Sequence, residues 1–306
     1  MTAAALATTA EGADPIVSVE GLTLRFGGVV SLAGVSLDHQ RGEILAVIGP
    51  NGAGKTSLFN CLTGVYQPQA GHIRFRPAGR PPVELVGRRP NRVNRLGVAR
   101  TFQTSRLFNA LSAYENVRIG VESRQRTGPL GAMLRLPRTL GEERASRVRS
   151  EELLEFVGLT GRADEVASVL PYGDQRKLEI ARALGTGPEL LLLDEPAAGT
   201  NAGEKAALEA LIRRVNQEMG VSVLLIEHDM RLVMSVADRV TVLNFGRVIA
   251  SGTPAEVQHD EAVIEAYLGR TEPDPAGGDS GTAGPGNAGS GPGGAEDGPV
   301  GPGVGS

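Results

Sequence analysis

The octet Gly49-Pro50-Asn51-Gly52-Ala53-Gly54-Lys55-Thr56 stands between the apolar run Glu43–Ile48 and the segment Ser57–Thr63. No other stretch of the chain constrains the fold so tightly. The run before it reads as a buried strand, and the segment after it as the first turns of a helix. The glycines let backbone N–H groups turn inward around phosphate oxygens, and the helix N-terminus adds partial positive charge. In that strand–loop–helix setting the pattern G-x-x-x-x-G-K-[ST] predicts a nucleotide phosphate cradle, here residues 49–56 with Ser57 following. Lys55 is expected to reach the β- and γ-phosphates, and Thr56 to hold Mg²⁺. The plainer reading is a Gly-rich turn. It is weakened by the rarity of lysine, which occurs elsewhere only at Lys177 and Lys205.

Not all of the 306 residues read as folded. Thr271–Ser306 holds 13 Gly and 6 Pro in 36 positions, with no aromatic residue. Such a segment cannot bury enough surface to offset its ordering entropy, so a disordered tail is expected over 271–306. Residues 1–14 are Ala/Thr-rich, are expected to be disordered, and lack the pattern of a signal peptide. The intervening residues 15–270 suit one α/β domain with an inserted subdomain. No stretch approaches about 18 consecutive apolar residues, the length that predicts a membrane span. Cys61 is the single cysteine, so no internal disulfide can form, which fits a reducing compartment. A small buried apolar residue is the plainer reading of Cys61.

Net charge is −4, unevenly spread. Residues 74–149 carry 17 Arg and five Glu with no Lys or Asp, a local +12, so the remainder carries −16. Such a region suits nucleic acid, anionic lipid or an acidic protein surface, or simply a solvated arginine-rich face. Neither spacing nor interleaved aromatics point to nucleic-acid grooves, and no nucleic-acid partner is expected.

Apolar and polar residues alternate over Ile16–Glu20, Leu22–Phe26 and Val29–Leu37, which predicts short strands, the early ones antiparallel. Residues 73–98 are rich in Arg and Pro and show no clear period. Helices are expected over Ala113–Val121, Gly141–Phe156, Arg162–Val169, Asp174–Leu184 and Glu204–Met219, with a loop or short hairpin at Thr127–Leu140. Leu190–Leu193, Val221–Ile226, Val240–Leu243 and Val248–Ala250 read as further strands. Helices alternating with parallel strands imply a doubly wound α/β core. Leu190–Leu193 is expected beside the phosphate loop, delivering Asp194 and Glu195 at its C-terminal end.

A carboxylate buried at Asp194 needs a cation partner, and Mg²⁺–ATP supplies one. Glu195 would then face the γ-phosphate as general base or water-orienting group. Alone, Asp194-Glu195-Pro196 also reads as a strand-ending turn; beside the octet the catalytic reading is favoured. His228 follows the next strand and could contact the γ-phosphate, although a lone histidine is more often structural.

The octet, Arg100-Thr-Phe-Gln103, Leu191–Pro196 and Ile226-Glu-His228 follow the order and spacing of ATP-binding cassette (ABC) ATPases. Over about residues 16–269 the chain resembles that family. More narrowly it resembles the ATPase subunit of branched-chain amino acid ABC importers. Arg25–Gly28, Leu58–Gly64, Ala99–Gln103, Leu178–Arg182, Asp194–Gly199, Ile226–Met230 and Ala266–Gly269 carry that likeness. The resemblance implies a P-loop NTPase core, an antiparallel β subdomain and a helical subdomain inserted at about 104–170. It implies that Phe26 stacks on adenine, that Gln103 contacts Mg²⁺ and the attacking water, and that His228 is a switch histidine. ATP and Mg²⁺ are the implied ligands. Thr104–Val117 would face a permease.

Two positions depart from the family's usual pattern. Its Leu-Ser-Gly-Gly-Gln signature aligns with Leu170-Pro-Tyr-Gly-Asp174, and Pro171 has neither a hydroxyl nor a backbone N–H to offer a γ-phosphate. Gly173 keeps an N–H that could still approach phosphate. Asn201 stands where an aspartate is usual; the branched-chain importer ATPases resemble this chain in having tyrosine and asparagine at positions 172 and 201. Family members close as dimers around ATP, so a heterodimer with a second ABC ATPase carrying an intact signature is expected. The resemblance further implies two permease subunits, an extracytoplasmic binding protein acting indirectly, and a peripheral place on the cytoplasmic face of the cell membrane. Alternatives are a urea/amide importer or lipopolysaccharide exporter ATPase, or a soluble nucleic-acid-associated ABC ATPase, which would resemble tandem cassettes or carry long insertions that this chain lacks.

Overall fold

The computed structural model describes residues 14–101, 107–123 and 137–268, with the side chains of 137–140 and 268 set aside. Residues 1–13, most of Thr127–Leu140 and the whole of 271–306 lie outside the described residues. Ten strands run through the rest: β1 (Val17–Phe26), β2 (Val29–His39), β3 (Ile44–Ile48), β4 (Ala70–Phe75), β5 (Val83–Glu84), β6 (Val98–Arg100), β7 (Leu190–Asp194), β8 (Ser222–Ile226), β9 (Arg239–Asn244) and β10 (Arg247–Gly252).

They form two sheets. One is antiparallel, in the order β2-β1-β4-β5, and the other has the order β10-β9-β3-β8-β7-β6. Strands β9, β3, β8, β7 and β6 are mutually parallel. β10 instead runs antiparallel to β9, because the two are joined by a tight turn at Phe245–Gly246. The segments Ile16–Glu20 and Leu22–Phe26 are one strand rather than two. Gly21, at φ 59°, makes a bulge there and shifts the register against β2.

The unbroken apolar runs of β3, β7 and β8 follow from burial on both faces, with every residue of the three strands buried. On β7, Leu190 and Leu192 face a core shared with the antiparallel sheet, while Leu191 and Leu193 face the helices of the opposite layer. Each fully buried leucine contributes roughly 1.5–3 kcal/mol. A third cluster joins Ala46, Ile48, Val240 and Val242 to Val257 and Val263 of the C-terminal helices Pro254–Gln258 and Glu261–Leu268.

The helices Ala113–Glu122, Pro137–Phe156 and Tyr172–Gly185 pack together through Val117, Leu153, Leu154, Leu178 and Leu184. The first and third approach closely because Gly120 and Gly185 lack side chains. A Cβ at Gly120 would overlap the Arg182 carbonyl oxygen. The expected helix over Arg162–Val169 does not form. Two single 3₁₀ turns, Thr160–Arg162 and Ala167–Val169, flank a crossing of the Ala113–Glu122 helix start. There the Glu165 and Ala163 carbonyls accept from the Ala113 and Tyr114 N–H groups, both at 2.9 Å, and Ala167 N–H donates to Leu111. Satisfying another helix's free N–H groups outweighs the segment's own helical bonds. The Arg/Pro-rich segment resolves into β4, β5, a short helix Pro90–Leu96 and β6.

His39 ends β2 fully buried. Its Nε2–H donates to the Glu43 carbonyl at 3.0 Å, while Nδ1 has no partner among the described residues. Burial holds its pKa below the ordinary 6.5, against a smaller upward pull from the Glu43 hydrogen bond. The folded ring therefore resists protonation more than the unfolded one. Stability from this residue is complete above about pH 6.5 and is lost as pH falls from there through the lower folded value. Urea unfolding between pH 7.5 and 5 should show a slope of at most about 1.4 kcal/mol per pH unit from this single proton. His39→Gln should flatten that slope. An unchanged pH profile in the variant would remove His39 from the account.

Candidate active site

The octet leaves β3 at the C-terminal edge of the parallel sheet, and the helix Lys55–Leu62 follows it. Gly49 and Gly54 have φ of 147° and 105°. A Cβ at Gly49 would overlap the Leu243 carbonyl oxygen, and one at Gly54 would lie 2.6 Å from that of Ser31. The loop is braced from outside by the β9–β10 turn, where Gly246 N–H donates to the Ala53 carbonyl at 2.9 Å. It is braced again by the C-terminal helix. Burial raises the pKa of the Tyr267 phenol there, and a hydrogen bond with the Gly49 backbone draws it back down.

Lys55 is buried and donates to the carbonyls of Gly49 at 2.6 Å and Pro50 at 3.0 Å. Desolvation lowers its pKa, while the charges of Glu195 and Asp194 pull it upward. An ammonium held in this way is poised for an anion. Asn51, Gly52 and Thr56 are exposed on the loop, and Ser57 accepts a hydrogen bond from Ser31 at 2.7 Å. Phe26 ends β1 about half exposed and meets Tyr66 edge-on, with centroids 5.1 Å apart. Cys61 lies in the helix after the loop, where burial raises its thiol pKa to about 11, which makes it unreactive at neutral pH.

Asp194 ends β7 as expected, but β8 lies between β7 and the phosphate-loop strand β3. Its buried carboxylate has a protein cation partner that sequence reading missed. Arg100, at the end of β6, approaches Asp194 Oδ2 at 2.6 Å and Asn60 Oδ1 at 2.6 Å, and its guanidinium stacks over Phe59. The available signal was an arginine closing the apolar β6 beside a buried carboxylate that needs a counter-charge.

Glu195 adopts φ 48°, a left-handed conformation that costs a non-glycine residue about 1–3 kcal/mol. Its N–H donates to the Ile226 carbonyl at 2.9 Å, which ties the end of β7 to the end of β8. His228 Nδ1 stands 3.8 Å from the carboxylates of both Glu195 and Glu227, and its ring is largely exposed. Asp229 caps the helix Met230–Val236 and takes an ion pair from Lys205 at 2.7 Å. That hydrogen bond holds its pKa below the usual carboxylate range. The structure thus brings Lys55, Asp194, Glu195 and His228 to one edge of the parallel sheet. Gln103 lies outside the described residues.

Gly173 lies buried in the first turn of the helix Tyr172–Gly185. Pro171 precedes that helix without a side-chain cap. The Glu204 side chain packs against Gly173, 2.7 Å from where a Cβ would lie. Asp174 is paired with Lys177 at 2.9 Å and Arg162 at 3.4 Å.

The geometry has counterparts among known proteins. A family model described as "ABC transporter" matches residues 32–198, and one described as "Branched-chain amino acid ATP-binding cassette transporter" matches residues 247–273. The chain is 45% identical over 255 residues to the high-affinity branched-chain amino acid transport ATP-binding protein BraF of Pseudomonas aeruginosa, covering 83% of this chain and 98% of that one. It is 43% identical over 256 residues to the corresponding protein LivG of Escherichia coli K12, covering 84% and 98%. The crystal structure of the ADP conformation of MJ1267, an ATP-binding cassette of an ABC transporter, superposes with a TM-score of 0.71 at 30% identity, covering 84% of this chain and all of that one. A match over more than half of its length, together with relatives aligned almost end to end, makes this chain a member of the ABC transporter family, among its ATP-binding proteins.

Proposed function

We propose that the chain is the ATP-hydrolysing subunit of an ABC importer for branched-chain amino acids. The observation that carries this reading is the near full-length likeness to two transport proteins named for those substrates. The convergence of Lys55, Asp194, Glu195 and His228 at one sheet edge supports hydrolysis as the chemistry.

In this reading Phe26 stacks on adenine and Gly49–Ser57 surrounds the phosphates. Lys55, already desolvated, exchanges its bonds to the Gly49 and Pro50 carbonyls for phosphate oxygens. The residues fit Mg²⁺: Thr56 is exposed beside the loop, and Asp194, one oxygen of which Arg100 holds, is a buried carboxylate at the same edge. With Gln103 they would hold the ion. The ion would supply Lewis-acid polarisation of the phosphate oxygens. Glu195 accepts the proton of the attacking water, and His228 contacts the γ-phosphate from the neighbouring loop.

Residues 15–270 form the ATPase domain, with its helical subdomain at about 104–170. The partners are a second ABC ATPase, two permease subunits and, indirectly, an extracytoplasmic binding protein. Among the described residues no helix is long and apolar enough to cross a membrane. The likeness to transport ATP-binding proteins supports peripheral docking of the chain, on the cytoplasmic face of the cell membrane. A heterodimer is favoured because the signature segment has little left to offer a partner's nucleotide. Pro171 lacks a donor, Asp174 is committed to Lys177 and Arg162, and Gly173 is packed by Glu204.

Affinity purification of the tagged chain from its native membranes should recover a second, different ATPase together with permease subunits. Loss of the chain should abolish uptake of labelled leucine, isoleucine and valine into cells. Full transport-coupled hydrolysis by a homodimer would refute the heterodimer, and undiminished uptake would refute the substrate class.

A further inference from the structure

Glu227 is wholly buried, yet no part of the site described above uses it as a chemical group. It follows β8 directly, one residue before His228. Its two oxygens are spent on backbone donors from two different loops. Oε1 accepts from the Ala197 N–H at 2.8 Å, in the turn that follows Glu195. Oε2 accepts from the N–H groups of His228 at 3.0 Å and Asp229 at 3.2 Å. The backbone adds a parallel tie, from Glu195 N–H to the Ile226 carbonyl.

A buried carboxylate is a costly way to satisfy three N–H groups unless their relative placement matters. Here the two loops carry Glu195, held at φ 48°, and His228, whose ring is largely exposed. A strained conformation persists only where its surroundings over-determine it. We infer that Glu227 is a positioning residue for hydrolysis, clamping the Glu195 turn and the His228 loop in one fixed relation. The inference rests on the proposal that Glu195 and His228 serve the γ-phosphate.

Carboxylate geometry makes the clamp testable. Glu227→Gln keeps the length but leaves one oxygen. Its amide –NH₂ must then oppose either the Ala197 N–H or the N–H groups of His228 and Asp229, so one loop is released. Glu227→Asp keeps the charge but is one methylene too short to span both loops. The experiment uses the full chain assembled with its co-purifying partner subunits. It measures ATP turnover, fluorescent ATP-analogue affinity and thermal midpoint for both variants, for Glu195→Gln, and for Glu227→Gln combined with His228→Ala.

Both Glu227 variants should lose at least tenfold in kcat while nucleotide affinity stays within twofold, because the phosphate loop hangs on β3 and not on this clamp. The loss from Glu227→Gln should shrink at least threefold in the His228→Ala background, where one clamped group is already gone. Wild-type kcat in either Glu227 variant overturns the inference, as does parallel loss of affinity and thermal midpoint without a separate loss of kcat. If Glu195→Gln turns over normally, the underlying reading of the site falls first. If Glu195→Gln is inactive and Glu227→Gln is not, only the role of Glu227 falls.

Discussion

Replacing Glu195 by Gln should slow ATP hydrolysis by roughly 10²–10⁴-fold, the loss expected when a positioned general base is removed. Binding should survive. The phosphates are addressed by Lys55 and by the octet, whose shape is set by Gly49, Gly54 and the β9–β10 turn rather than by the carboxylate. Glutamine also retains the side-chain length and the N–H bond to Ile226, so the turn keeps its backbone tie across the sheet. The measurement is steady-state phosphate release against nucleotide affinity in the assembled complex. Steady turnover in the variant would take the base role away from Glu195 and give it to a group outside this turn.

The second large effect concerns stability. Arg100→Met should cost about 3–5 kcal/mol, because it leaves Asp194 ionised and buried without its guanidinium. The same arginine reaches Asn60 and covers Phe59, so its loss also loosens the helix that follows the phosphate loop. Adding Asp194→Asn to Arg100→Met should recover most of the loss, since the stranded charge goes with it. Urea unfolding of the two variants and the wild type measures both. A cost below about 1 kcal/mol for Arg100→Met would mean that Asp194 does not depend on this pair.

The contrast between these two residues shows what the sequence could reveal. Glu195 was legible because it is local: the leucine run, the carboxylates and the octet each announce themselves within a few residues. Arg100 was not, because its meaning depends on which strands are neighbours. Sequence pattern placed β7 beside the phosphate loop, whereas β8 intervenes and β6 flanks β7 on its other side. Glu227 was passed over for the same reason, since its work is to join the turn at Ala197 to a loop thirty residues later. Residues 162–169 misled in another way. Their apolar spacing suits a helix, but their carbonyls serve the start of the Ala113–Glu122 helix instead. Local chemistry was readable, and long-range pairing was not.

That pairing also sets a timetable. β3, the strand that delivers the phosphate loop, has as its only sheet neighbours β8 and β9, which end at residues 226 and 244. A ribosome adding about 5–20 residues per second needs roughly 10–35 s to go from the octet to the end of β8. For that interval an apolar strand and the helix after it are synthesised without the partners that will flank them. The nascent chain carries its most recognisable motif early but cannot flank it with its sheet neighbours until β8 and β9 have been made. A complete phosphate site, and with it any stabilisation by ATP, therefore comes late in the order of assembly.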